Sequence, residues 1–212
     1  MMTERDRRVV RLADELVRRH ALTLPVAVER ICPLYGARLL PLSELTARGM
    51  DAETVFACWG NRDGVAMQSR SVRTIAYNDR AAVNRIRFTL AEELMHLLLG
   101  HASDGRFSVA RQLYDDETYA LYEAEAKHGA AMLLLPPTVY FRYRERLSLA
   151  SIAQLCQISR ACAWTAAQYY EQNETELRAL FTASPVARDL RALARKRPLR
   201  PIAVSPAPER YS

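Results

Sequence analysis

The sequence predicts an α+β fold: short strands between helices early in the chain, followed by a helical region with helix-turn-helix spacing. Three observations carry this. Short strand-like runs bounded by Gly, Asn, Asp and Pro cluster between Ala37 and Asn78, an amphipathic helical segment precedes them, and every convincing element from Thr89 onward has helical spacing. With 212 residues, half of them apolar, the chain can build one good-sized domain with a small appendage.

In the first segment Val9, Leu12, Ala13, Leu16 and Val17 recur at helical intervals, with arginines and acids on the other face, so a surface helix with one buried stripe is expected. A second helix is expected after Pro25, in PVAVERICPLYG. ARLLPL, TVFACW, VAMQ and VRTIAYN predict strands, and GNRDG between Trp59 and Val65 predicts a hairpin turn. Helices are expected over Thr89 to Leu99, about Asp116 to Leu135, Leu149 to Ile158 and Ser159 to Phe181. In LASIAQLCQISRACAWTAA, Ala153, Cys156, Ile158 and Ser159 have the spacing of a helix-turn-helix. Its second helix carries Arg160 as its one basic residue, so few phosphate contacts are available and packing into the body is the expectation. The boundaries that follow are 1–147, 148–182 and a basic, proline-containing tail over 183–212, disordered after about Arg197.

The formal charge of +6 is concentrated in that tail, where Arg188, Arg191, Arg195, Lys196, Arg197 and Arg200 leave weak, non-specific DNA contact open. The N-terminus MMTERDRRVV has no apolar core behind it, and the longest apolar run, AAMLLL, is too short to span a bilayer, so a cytoplasmic protein without membrane attachment is expected. Cys32, Cys58, Cys156 and Cys162 form no CxxC pair and read as reduced core thiols.

The chemistry concentrates in RFTLAEELMHLLLGH, Arg87 to His101. Thr89 followed by Glu92 satisfies a capping box, which is the plain explanation of Glu92; Leu90, Leu94, Leu97 and Leu98 form a buried stripe, and Gly100 is a natural stop. Positions 92 and 96 share a face, with Glu93 rotated by about 100° yet within reach of the same cleft. In a His-Glu-x-x-His helix this geometry holds a metal while the Glu takes a proton from metal-bound water; here Glu93 and His96 are present and Glu92 stands where the first histidine belongs. A second Glu-x-x-His pair, Glu125/His128, raises a di-iron bundle as an alternative, but 28 residues lie between His96 and Glu125 and the strand-rich segment upstream opposes it.

RIRFTLAEELMHLLLGH closely resembles the active helix of the ImmA/IrrE family of metallo-endopeptidases, where the pattern is Arg-x-Arg-Phe-Thr-Leu-Ala-His-Glu-Leu-Gly-His-Leu-Leu-Leu. YEAEAKHGAAMLLLPP resembles that family's second signature, about 30 residues downstream. The resemblance implies a zincin-like metallopeptidase fold, with His96 a metal ligand, Glu93 the general base and Glu123 the third ligand, Glu125 ranking behind it. The plain alternative for Glu123 is an i,i+4 pair with Lys127 on a solvated face. His101 echoes a histidine that often follows this helix in the family; satisfying helix C-terminal carbonyls is the favoured role. The family also implies a protein substrate or partner such as a transcriptional repressor.

Four positions depart from the family pattern: Glu92 replaces His, Met95 replaces Gly, Lys127 replaces Asn and Gly129 replaces Phe. If Glu92 is a ligand, two carboxylates and one imidazole neutralise a divalent ion, the bound water becomes a weaker acid, and preference tilts from zinc toward manganese. Alternatively, Lys127 bridges Glu92 and Glu123 with no metal, and the chain is an inactive pseudopeptidase that keeps its fold as a protein-binding regulatory module. Both readings stand on the sequence.

Overall fold

The computed structural model describes residues 2–20, 24–102 and 115–182. Helix α1 (Glu4–His20) buries Val9, Val10, Ala13, Leu16 and Val17, the stripe expected except that Val10 goes inward and Leu12 is only partly covered. The segment after Pro25 forms one short turn of helix, α2 (Val28–Ile31), and a 3-10 turn over Cys32–Tyr35 closed by Gly36 at φ 73°, a left-handed conformation suited to glycine. Strands β1 (Ala37–Pro41), β2 (Gly64–Ser69) and β3 (Val72–Tyr77) form one sheet in the order β1-β3-β2, with β1 parallel and β2 antiparallel to β3. Between β1 and β2 run α3 (Leu42–Ala47) and α4 (Ala52–Trp59).

The expected strand TVFACW is therefore helical. The Asp51 side chain accepts from the Thr54 N–H as an N-cap, and Val55 and Trp59, one turn apart, enter a small core with Leu42, Val65 and Ala76. An apolar run this short satisfies either period, and the cap upstream decides it. GNRDG accordingly links a helix to a strand: Gly60 ends α4 at φ 77°, and the Asn61 side chain accepts from the N–H groups of Asp63 and Gly64. The hairpin turn lies at Arg70 and Ser71 instead.

Helix α5 (Val83–Leu99) begins six residues before Thr89, which is a buried interior residue. The capping-box explanation of Glu92 is thereby removed. Residues 83 to 88 extend the helix because Arg85 pairs with Asp63 at the mouth of the sheet and Arg87 is drawn inward, its guanidinium donating to the carbonyls of Val26 (2.8 Å), Gln157 (3.3 Å) and Cys156 (3.4 Å). Gly100 ends α5 at φ 81°, as expected.

Helix α6 (Asp116–Leu134) starts on an Asp115 cap and packs along α5 on one side and α1 on the other; α5 in turn lies against β2 and β3. After α7 (Pro137–Tyr143), α8 (Leu149–Cys156) and α9 (Arg160–Gln172) are capped by Ser148 and Ser159 and separated by Gln157 in the left-handed region. The helix expected to run from Ser159 to Phe181 breaks at Asn173, and α10 (Glu174–Thr182) follows. Ile152, Ala153, Cys156, Ala163 and Tyr170 join the same core cluster as α1, α5 and α6, so the helix-turn-helix-like segment packs into the body. Cys32 and Cys156 are buried and Cys162 half-buried, whereas Cys58 is exposed, contrary to a uniform set of core thiols. No helix among the described residues is long and apolar enough to cross a membrane. The tail beyond 182, with its basic run and expected disorder, lies outside the described residues.

Candidate functional site

The α5–α6 contact brings together all five side chains singled out in the sequence. Glu92, Glu93 and His96 come from α5 and are 8%, 7% and 1% exposed; Glu123 and Lys127, one turn apart, come from α6. His96 Nε2 lies 3.5 Å from Glu123 Oε1. The Lys127 ammonium donates to Glu123 Oε2 at 2.6 Å and lies 3.9 Å from Glu92 Oε1. Glu93 faces the sheet, where the backbone of Ala66 in β2 gives it a hydrogen bond.

This cleft is rich in buried carboxyl groups, and its proton affinities reflect that. Burial pushes Glu92 up to about 7, helped by the neighbouring Glu123 and opposed by Lys127 and Arg85. Burial, with Glu92 and Glu123 beside it, holds Glu93 well above the usual carboxylate range. Burial acts on Glu123 in the same direction, but hydrogen bonds from His96 and Lys127 outweigh it and hold it down to about 2. Lys127 loses some solvation yet is raised, because Glu123 and Glu92 favour its charge. One carboxylate thus carries a firm negative charge against one ammonium, while burial raises the proton affinity of the other two.

Two ligands bound at about 2.1 Å to a tetrahedral ion lie about 3.4 Å apart, so His96 Nε2 and Glu123 Oε1 have the spacing of a ligand pair. A third donor is not in place: among the described residues no group of three His, Cys, Asp or Glu is arranged to hold a metal. Glu92 faces Lys127 instead. As placed, the set fits two ligands of a metal and not three, and the ammonium supplies the cationic charge that the carboxylates meet.

Two residues given lesser roles by the sequence sit directly behind His96. His101 Nδ1 is 3.0 Å from His96 Nδ1, and His101 Nε2 is 3.0 Å from Glu125 Oε2, so the His101 ring meets side chains of both α5 and α6. Glu125 is turned to His101 and, at 3.5 Å, to Arg5 of α1, while Glu123 alone faces His96 Nε2. The sequence signal was there in the turn at Gly100, which folds position 101 back beneath position 96. His128 packs against the Tyr169 ring, centroids 4.7 Å apart, so the two Glu-x-x-His pairs do not converge on one centre. It lines a cavity of about 580 Å³ with Phe88, Lys127, Met132, Ile158 and Tyr169. Lys127 connects this apolar cavity to the carboxylate cleft.

A buried Glu-x-x-His turn on one helix, a carboxylate from a second helix and the edge of a small mixed sheet beside them define the architecture of a zincin-like peptidase. The chain belongs to the Peptidase M78 family, described as the IrrE N-terminal-like domain, which matches residues 50–191 and so contains every one of these side chains except Arg5. The peptidases of this family are generally metal-dependent. No curated protein matches the chain.

Proposed function

We propose that this protein is a catalytically silent member of its peptidase family that binds a protein partner, such as a transcriptional repressor, in the cleft where relatives cleave theirs. The observation that carries the reading is the position of Lys127, whose ammonium lies 2.6 Å from Glu123 and 3.9 Å from Glu92, where its charge answers carboxylates that would otherwise answer a metal. Two further features suit an extended peptide. Strand β2 is at the sheet edge beside Glu93 and has no second strand partner among the described residues, so its outer backbone groups can pair with an added strand. The apolar cavity beyond Lys127 offers room for a large side chain of that peptide. In this reading residues 1–147 form the peptide-binding unit, 148–182 a helical region that walls the cavity, and the protein works in the cytoplasm.

The 3.5 Å spacing of His96 and Glu123 favours a second reading, a metallo-endopeptidase. There Glu92, His96 and Glu123 hold zinc or manganese and Glu93 is the general base, which requires Glu92 to leave Lys127. Metal analysis of protein purified without chelator separates the two. No bound metal, unchanged in His96→Ala, is expected; stoichiometric metal that is lost in His96→Ala overturns the silent reading in favour of the second.

A further inference from the structure

Helices α5, α6 and α9 enclose the cavity of about 580 Å³ beyond Lys127. Most of its wall is apolar: Phe88 comes from α5, Met132 from α6, Ile158 from the turn before α9 and Tyr170 from α9, the last three buried. Protein interiors leave few voids larger than a water molecule, so apolar side chains around a space of this size leave surface for a ligand to cover. The volume is that of pockets that take small organic molecules, in which a few polar groups fix the orientation of a ligand held mainly by apolar contact.

The charge in the lining has one sign. Arg85 and Lys127 carry it, and among the described residues no aspartate or glutamate lines the cavity; Asp63, Glu92 and Glu123, which these cations meet, stand outside it. Both side chains are about half exposed and each keeps donors in reserve. Arg85 pairs with Asp63 through Nε and Nη2, which leaves Nη1 outside that pair, and the Lys127 ammonium gives Glu123 one of its three protons. The two cations are close enough for Arg85 to disfavour the charge on Lys127, so an anion between them is attracted by both and relieves that repulsion.

We propose that this cavity binds a small amphipathic carboxylic acid, its carboxylate on Arg85 and Lys127 and its apolar tail among Phe88, Met132, Ile158 and Tyr170. Such a ligand excludes the large side chain that a bound peptide places there, and so regulates partner binding. That consequence rests on the peptide-binding reading above. Binding of the acid itself rests on the lining alone, so it stands or falls separately from either reading of the cleft.

The test is an NMR titration of the full chain with octanoate as probe and octanol as its uncharged analogue, both kept below the concentrations at which they aggregate. Octanoate is expected to saturate one site, with octanol bound at least about tenfold more weakly. Nuclear Overhauser contacts from the octanoate tail are expected to the methyl groups of Met132 and Ile158. Arg85→Gln should weaken octanoate at least about tenfold and leave octanol unchanged. Cys162→Trp, which puts an indole into the cavity from α9, should abolish binding of both. Octanol bound as tightly as octanoate, or an unchanged preference in Arg85→Gln, overturns the acidic ligand and leaves a pocket for any apolar group, a partner's side chain included. Absence of saturable binding, tail contacts to methyl groups elsewhere in the chain, or undiminished binding in Cys162→Trp overturns the site. Should Cys162→Trp not fold, the methyl contacts in wild type decide the location by themselves.

Discussion

The side chain of Met95 fills the space in front of Gly129 across the α5–α6 contact: a β carbon on Gly129 would lie 2.9 Å from Met95 Cγ and 3.2 Å from Met95 Sδ. The pattern of the family has a small residue at the first position and a large one at the second. The two departures are one exchange of volume between helices, which keeps α5 and α6 close enough for Glu92 and His96 to face Glu123 and Lys127.

That exchange predicts coupled mutants. Gly129→Ala gains about 1 kcal/mol of helix propensity but overpacks a fully buried contact, and should destabilise the fold by about 1–2 kcal/mol net. In a Met95→Ala background the same substitution enters open space and should stabilise. Urea midpoints of the two single variants and the double give the coupling energy, expected at about 2 kcal/mol; additive effects would mean that the two side chains do not compete for one space.

Removing the ammonium should open the cleft to a metal. In Lys127→Met, Glu92 and Glu123 face each other with no positive charge between them, so affinity for manganese or zinc should rise at least about tenfold, roughly 1.4 kcal/mol. Titration calorimetry of wild type and variant checks this. Equal affinities would mean that the missing histidine, and not Lys127, limits metal binding.

The cleft also predicts how stability depends on pH. Glu92 rises from 4.5 to about 7 on folding, so the folded state holds more protons than the unfolded one in that window and stability falls as pH rises through it, by on the order of 3 kcal/mol. Glu93 is raised too and acts in the same direction. Glu123 is held down to about 2 from 4.5, so its contribution is full above pH 4.5 and is lost as pH falls toward 2. Together these three carboxylates place the most stable pH close to 4.5, the value from which all three shift. Glu92→Gln should flatten the decline between pH 5 and 8 in urea-unfolding series, and an undiminished decline would assign it to other groups.

Arg87 attaches the C-terminal helices to the cleft helix. Its buried guanidinium serves the carbonyls of Val26, Cys156 and Gln157 at once, so Arg87→Ala should cost about 3 kcal/mol and Arg87→Lys, lacking the planar fork, should recover only part of it. Differential protection of α8 and α9 in hydrogen exchange would locate the loss. Uniform protection with an unchanged midpoint would show that α8 is held by apolar packing alone.

Much of the site was legible because it lies within single helices. The spacing of Glu92, Glu93 and His96 and the i,i+4 relation of Glu123 to Lys127 follow from the helical repeat, the turn follows from Gly100, and three of the four expected strands followed from short runs bounded by Gly, Asn, Asp and Pro. Local signals failed where two structures satisfied the same residues. TVFACW became helix through a cap at Asp51, and Thr89, a good N-cap by type, was absorbed into a longer α5 once Arg87 found its three carbonyls.

What periodicity records is the face a side chain occupies, and not the element opposite it. The placing of His101 and Glu125 behind His96 and the complementarity of Met95 and Gly129 join segments far apart in the chain, and the approach of Lys127 to Glu92, one of two arrangements open to the sequence, does the same. Each looks ordinary within its own helix. Only the packing of α5 against α6, which brings buried carboxylates within a few ångströms of one ammonium and one imidazole, makes their charges and volumes depend on one another.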